Sequence, residues 1–377
     1  MLAHLAAETR DRVARMLSVE RVPITTVCGP AANGAPPGTP GSATIRIVQR
    51  VQPSRCCFRS QSIEEGSMTR SKLLLTTLAF VFPGVALAQP TASRPAITGI
   101  SHLTLIADDI PKSKQFYASL LGWEPVPSSG DGSGIRFYAN HAQYVELVSP
   151  ATSGLVNRLD SVGFSTSDAE ALRKYLGAHE VAVPGAVTTD KYGDRTFQVR
   201  DPEGHKVEFV QQSDHRLARP ASAPQRLSSH IMHAGYVVRD RAALDRFYKD
   251  LLGFHLYWQG GNPDTRIDWV MMQVPDGTDW IEYMLYLPAT PSPAQLGSAN
   301  HLAPGVVSVA DLQQKLEERG WKPKANLNPQ VLGVDGKMQL DLTDPDGTRV
   351  EFMEFKPVKG PCCSPYAGSQ PTASDAW

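Results

Sequence analysis

One pattern, stated twice, constrains this chain more than any other feature. Phe116-Tyr117-Ala118-Ser119-Leu120-Leu121-Gly122-Trp123 returns as Phe247-Tyr248-Lys249-Asp250-Leu251-Leu252-Gly253-Phe254, 131 residues later. Asp201-Pro202-Glu203-Gly204-His205-Lys206-Val207-Glu208-Phe209 returns as Asp344-Pro345-Asp346-Gly347-Thr348-Arg349-Val350-Glu351-Phe352, 143 residues later. Two matched pairs in the same order mean a duplicated unit. Histidines and glutamates fall at equivalent places in the copies, which is where a metal site would be built.

The 377 residues allow two or three domains. A hydrophobic share of 41% and a charged share of 20% are ordinary for a globular protein. A formal net charge of −1 without a long basic run argues against nucleic acid or anionic lipid as partners. A small molecule is the partner class that fits. Of the cysteines, Cys28, Cys56, Cys57, Cys362 and Cys363, none lies in the repeated region. The fold is therefore expected to lack a disulfide framework and thiolate ligands. Adjacent cysteines such as Cys362 and Cys363 rarely bridge, so unpaired tail thiols are expected.

The first 88 residues do not read as part of the fold. Arg70 and Lys72 precede an apolar run, Leu73 to Phe82, which Pro83-Gly84 breaks and Ala86-Leu87-Ala88 follows. That is the plan of a secretory signal at 68–88, making the protein exported, most simply to a bacterial periplasm. The run is too short to span a membrane, which takes ~20 residues. Residues 1–67 carry eight arginines and no lysine. They read either as a mistaken upstream start, with Met68 the true one, or as a disordered extension.

The polar stretch 213–229 reads as a linker between halves at 97–212 and 230–357. The Gly, Pro and Ser-rich tail, 358–377, reads as disordered. Each half divides again. Opening strands are expected at Ile100–Ile106, Ser161–Thr166, His233–Val238 and His301–Val307. Amphipathic helices follow at Lys112–Leu121, Asp168–Leu176, Arg241–Leu252 and Ala310–Arg319. Gly122, Gly177, Gly253 and Gly320 stand where C-terminal caps would. Further strands end at 143–149, 206–211, 279–286 and 349–355. The class is α+β: four βαβββ modules, whose pairs wrap curved mixed sheets around a cavity.

These motifs resemble the vicinal oxygen chelate superfamily, which includes glyoxalase I, extradiol dioxygenases and bleomycin-resistance proteins. The resemblance rests on His-x6-Asp (His102…Asp109, His233…Asp240), on the Phe-Tyr-x2-Leu-Leu-Gly-aromatic helix end, and on Asp-Pro-x-Gly-x3-Glu-Phe. It covers 97–355 and implies the fold more strongly than the reaction, because one scaffold hosts several chemistries.

It also implies where ligands come from: the first and last strand of each module. The first-strand positions are His102, Ser161, His233 and His301; the last-strand positions are Glu146, Glu208, Glu282 and Glu351. The C-terminal half thus keeps a metal set of His233, Glu282, His301 and Glu351. His233 to Glu282 spans 49 residues and His301 to Glu351 spans 50, as two paired modules require. Two imidazoles and two carboxylates suit a divalent ion of Fe, Mn, Zn or Ni. Glu282 or Glu351 could also act as general base. A lone glutamate in Val-Glu-Phe more often faces solvent; four residues at matched positions are costly to bury without a cation. In the N-terminal half Ser161 breaks the set, leaving His102, Glu146 and Glu208 as a weaker second site. The ligand set requires modules to pair within a half; pairing across halves is equally open. His141, His205, His230 and His255 read as surface or loop residues. Trp258, Trp269, Trp280 and Tyr283 read either as a pocket lining or as core.

Three activities are weighed. A glyoxalase-like lyase or isomerase has the better ligand match. Extradiol ring cleavage is second, because Asp341 and Gln198 stand where its signature carries tyrosine, and no histidine lies between Asn326 and Leu340. A non-catalytic binder of a small molecule, such as an antibiotic, is third.

Overall fold

The computed structural model describes residues 93–128, 134–151, 155–214, 225–324 and 328–375. The expected extension, the expected signal segment and most of the expected linker lie outside these residues. No helix among the described residues is long and apolar enough to cross a membrane.

All four βαβββ modules are present. In the N-terminal half the strands are β1 (Ile97–Ile106), β2 (Glu124–Pro127), β3 (Gly134–Tyr138), β4 (Tyr144–Val148), β5 (Leu159–Thr166), β6 (Thr188–Thr189), β7 (Arg195–Arg200) and β8 (Lys206–Gln211). They form one sheet in the order β2-β3-β4-β1-β5-β8-β7-β6. The C-terminal half repeats it with β9 (Ile231–Val237), β10 (His255–Gly260), β11 (Trp269–Gln273), β12 (Trp280–Met284), β13 (Leu302–Val306), β14 (Gln330–Leu332), β15 (Met338–Thr343) and β16 (Arg349–Glu354), ordered β10-β11-β12-β9-β13-β16-β15-β14. In each sheet the two opening strands run antiparallel at the centre, and each lies parallel to its own module's closing strand. The modules therefore pair within a half, which brings the four ligand strands side by side.

The helices are α1 (Ile110–Lys114), α2 (Ala169–Ala178), α3 (Arg241–Asp245), α4 (Pro293–Ala299) and α5 (Val309–Glu318). Asp109 and Asp240, the acids of His-x6-Asp, are N-caps: their carboxylates accept from the backbone N–H of Lys112 and Ala243. Both α1 and α3 run on into a π-helical turn, Gln115–Leu120 and Arg246–Leu251, made by the repeated Phe-Tyr segment. Gly122, Gly253 and Gly320 take positive φ, as expected of caps. Gly177 does not; it lies inside α2, and Glu180 carries the positive φ instead. Helix α4 is unforeseen. Its short span hid it, although Ser292 and Gln295 form a capping box at its start.

The repeated motifs meet across the halves. Tyr117 Oη donates to Asp344 Oδ2 at 2.9 Å, and Tyr248 Oη donates to Asp201 Oδ2 at 3.3 Å. The residue after each Asp-Pro takes part as well. Asp346 accepts from Asp108 N–H at 2.9 Å, and Glu203 accepts from the N–H groups of Arg239 and Asp240 at 2.8 and 2.6 Å. The helix end of each copy is thus tied to the turn of the other.

The tail corrects two expectations. Residues 358–375 are placed against the C-terminal sheet rather than left without partners. Ala367 N–H donates to Tyr257 O at 2.8 Å, Cys362 N–H to Val334 O at 3.0 Å, and Trp258 Nε1–H to Cys362 O at 3.1 Å. Low-complexity composition is overridden because these backbone groups find sheet-edge and loop partners. Cys362 and Cys363 are joined in a disulfide, not left as thiols. The carbonyl and N–H of Cys362 are both held, which fixes the backbone of the pair.

Candidate metal centre

Sheet register gathers the predicted ligands. His233 and Glu282 lie on the parallel neighbours β9 and β12. Glu351 lies on β16, and His301 immediately precedes β13, placed there by the end of α4. One donor atom from each of the four lies within 4.8 Å of the others, and all four residues are buried. His233 Nε2 is 3.0 Å from His301 Nε2 and 3.4 Å from Glu351 Oε2. His301 Nε2 is 3.0 Å from Glu351 Oε2 and 3.5 Å from Glu282 Oε2. His233 stacks on Trp280 with ring centroids 4.8 Å apart. Beneath His301 the backbone is Gly235; a Cβ there would come within 2.2 Å of the imidazole. Only glycine lets that ring lie flat against the strand.

The donor chemistry asks for a cation. His301 Nδ1–H points at Ala299 O, 2.9 Å away, so in the neutral ring Nε2 is a lone pair. That lone pair faces Glu351 Oε2, a buried atom with no hydrogen-bond partner. The donors near His301 Nε2, Glu351 Oε2 and Glu282 Oε2 are His233 Nε2 and Arg349 Nη2, fewer than the lone pairs they face. Acceptors this crowded and this dry are satisfied by a positive ion.

The carboxylates are pushed apart. Burial, followed by the neighbouring charge of Glu351, raises the Glu282 carboxyl well above its usual range. Burial would raise Glu351 too, but Arg349, His233 and His301 outweigh it and hold it well below. Burial also lowers both imidazoles, His301 to about 4 with help from Arg349. Both rings are therefore neutral at neutral pH, the state in which histidine is a ligand.

A cavity of about 300 Å³ opens onto this group. Glu282, Glu351 and Arg349 lie on its polar side; Trp258, Trp269 and Met271 face it from β10 and β11. Of the four aromatic residues singled out in the sequence, Trp258 and Trp269 line the cavity, while Trp280 and Tyr283 are fully buried core.

The family model for the Glyoxalase/Bleomycin resistance protein/Dioxygenase superfamily matches residues 99–209 and 230–352. The chain belongs to this superfamily. Among solved structures, it is similar to homoprotocatechuate 2,3-dioxygenase from Brevibacterium fuscum, complexed with 3,4-dihydroxyphenylacetate, at 18% identity and TM-score 0.51, covering 70% of this chain and 82% of that one. The enzyme of the same name from Arthrobacter globiformis gives 16% identity, TM-score 0.52 and the same coverages. At such identities the likeness concerns the superfamily fold. No curated relative matches the chain in sequence.

Within the superfamily fold the N-terminal half has lost the arrangement, and the expected second site is corrected here. His102, Glu146 and Glu208 do not form a donor group; among the described residues only the C-terminal four do. His102 and Glu208 stay near each other, 3.5 Å apart, and Ser161 Oγ donates to Glu208 at 3.3 Å. Glu146 is drawn instead to Arg136 on β3, whose Nε lies 3.3 Å away, while Arg136 Nη1 donates to Asp190 at 3.0 Å. The guanidinium also lies 4.5 Å from the centroid of the Tyr144 ring. A fixed side-chain cation, Arg136, thus stands beside Glu146.

Of the histidines read as surface or loop residues, His230 is corrected to a buried one, while His205 keeps its place in a loop with its side chain 23% exposed. His230 is fully buried, with Nε2 2.6 Å from Asp279 Oδ1. His205 Nδ1 lies 2.8 Å from Asp201 Oδ2 in the cross-half contact. Both sit at strand ends, where sequence alone cannot tell inside from outside.

Proposed function

We propose that the C-terminal half is a mononuclear centre for a divalent metal ion of the Fe, Mn, Zn or Ni kind, held by His233, His301, Glu351 and Glu282. In this reading the protein is an enzyme moving a proton on a small substrate with two neighbouring oxygens, a glyoxalase-like lyase or isomerase. The observation that carries it is geometric: two imidazoles and two carboxylates, all buried, bring donor atoms within 4.8 Å of one another beside a cavity.

When bound, the ion would act as a Lewis acid toward the paired substrate oxygens. Glu351, held ionised by Arg349 and the imidazoles, contributes fixed negative charge. Glu282 faces the cavity and would leave the ion to act as general base. As the carboxylate it takes the proton from the hydroxyl-bearing carbon beside the substrate carbonyl and returns it to the carbonyl carbon, while the hydroxyl proton passes to the other oxygen, so that no net charge or atom is gained. Trp258, Trp269 and Met271 keep water from that carbon.

The fold neighbours support a second reading, extradiol ring cleavage. Asp341, paired across the strands with Glu351, stands where its signature carries tyrosine, which is why proton transfer ranks first. The test is to incubate metal-loaded protein with α-hydroxyketones, α-keto acids and catechols in deuterated water. Deuterium exchange beside the carbonyl, abolished in Glu282→Gln and without oxygen uptake, is expected. Oxygen consumption with a catechol would move the assignment to ring cleavage. Tight binding without exchange or uptake would make the protein a binder.

A further inference from the structure

We infer that Arg349 is a built-in counter-cation of this centre, and that it anchors an anionic oxygen of the bound molecule once a divalent ion is bound beside it. This rests on the metal-centre reading above and extends it to the charge of the substrate.

Arg349 opens β16 two residues before Glu351, so strand alternation puts both on one face. Its side chain is 17% exposed and lines the cavity. The guanidinium is spent on the donor group itself. Nη1 is 3.3 Å from Glu351 Oε1, and Nη2 is 3.0 Å from His301 Nε2 and 3.1 Å from Nδ1. Behind these contacts, Nε donates to Ser298 O at 2.9 Å, and Asp341 Oδ2 lies 3.6 Å from Nη1. Arg349 thus lies over the ring of His301 and against Glu351 Oε1, beside the donor atoms Nε2 and Oε2 rather than on them. A guanidinium cannot shed its charge by losing a proton. A divalent ion among the same four residues repels it and weakens the Nη2 contact with His301. Ser298 and Asp341, neither of them a ligand, keep the stem in place. The loosened N–H groups then face the cavity, where their planar fork suits a carboxylate or similar oxyanion.

The duplicated half provides a comparison. Lys206 holds the same place in the repeat, two residues before Glu208, and its Nζ is spent on Asp160 at 2.7 Å. No donor group forms there among the described residues. A cation that contacts the ligands from this position belongs to the half with the ligand set.

The test uses purified full chain stripped of metal, with cobalt(II) as probe ion. Oxalate serves as an anionic chelator and acetoin as a neutral one, each titrated into the cobalt-loaded protein and followed by the cobalt absorption spectrum. Arg349→Gln should bind cobalt roughly ten-fold or more tighter than wild type, since a repelling charge is gone. It should bind oxalate weaker by a similar factor and leave acetoin unchanged. Arg349→Lys keeps the charge without the fork; it should hold cobalt near wild-type affinity and still lose oxalate, and it carries the test if the glutamine variant does not fold. Equal or weaker cobalt binding in Arg349→Gln overturns the counter-cation role. Unchanged oxalate binding in both variants overturns the anchor role. Failure of wild type to bind cobalt would instead overturn the metal centre itself.

Discussion

At the scale of single residues, the difference between the halves comes down to two substitutions. Ser161 stands where the C-terminal half has His301, and Arg136 stands across β4 from Glu146 as Met271 stands across β12 from Glu282. Restoring the histidine is therefore not enough. Ser161→His alone is expected to give no measurable metal binding in the N-terminal half, because Arg136 still holds Glu146. Combining it with Arg136→Met should produce a second, weaker equivalent by isothermal titration. A second equivalent in Ser161→His alone would show that Arg136 is not the obstacle. The grouping of His233, Glu282, His301 and Glu351 was legible because each lies at a fixed place in a repeated module. Arg136 was not, since its meaning depends on which strand β3 pairs with. Arg349 was half legible: a cation two residues before a ligand shares its strand face, but nothing in the sequence shows it turning inward.

At the scale of elements, the repeated motifs are best understood as interlocking parts. Phe-Tyr and Asp-Pro-x-Gly looked like local helix-end and turn signals, and locally they are. Their repetition, however, serves contacts between copies, which no one-dimensional pattern reports. The two ties differ in strength. Asp344 Oδ2 takes the Tyr117 hydroxyl at 2.9 Å in a buried setting, and burial raises its carboxyl to about 6. Tyr117→Phe should cost about 1–3 kcal/mol in urea unfolding, the range for stranding a buried acceptor. Tyr248→Phe should cost less, about 0.5–1 kcal/mol, because its bond is longer and Asp201 Oδ2 keeps His205. Equal costs would contradict this account.

His205 adds a pH dependence that the Asp344 turn, with Thr348 in its place, lacks. Burial opposes the imidazolium, but the hydrogen bond and charge of Asp201, with Glu203, outweigh it and raise the pKa. The unfolded value is about 6.5. The folded state binds this proton more tightly, so the stabilisation is complete below about 6.5 and is lost as pH rises through the folded value. Urea midpoints of wild type and His205→Gln should therefore converge from pH 5.5 toward pH 9. A constant gap would assign the effect of His205 to packing.

At the scale of the whole molecule, duplication left two copies of one fold, with one donor group among the described residues. The strand–helix order of all four modules was legible from periodicity, helix caps and glycine positions, since backbone geometry is set locally. The tail was not, because its order comes from a sheet edge far away in sequence. Helix α4 was missed for its length, yet it matters: its last turn presents Ala299 O to His301 and Ser298 O to Arg349. The measurement that tests the account most directly is metal content of the purified protein by plasma mass spectrometry, alongside Glu351→Gln and Glu146→Gln. One equivalent of a divalent transition metal is expected in wild type and in Glu146→Gln, and almost none in Glu351→Gln. Metal unchanged in Glu351→Gln, or lost in Glu146→Gln, would show that the centre is not where the four donors meet.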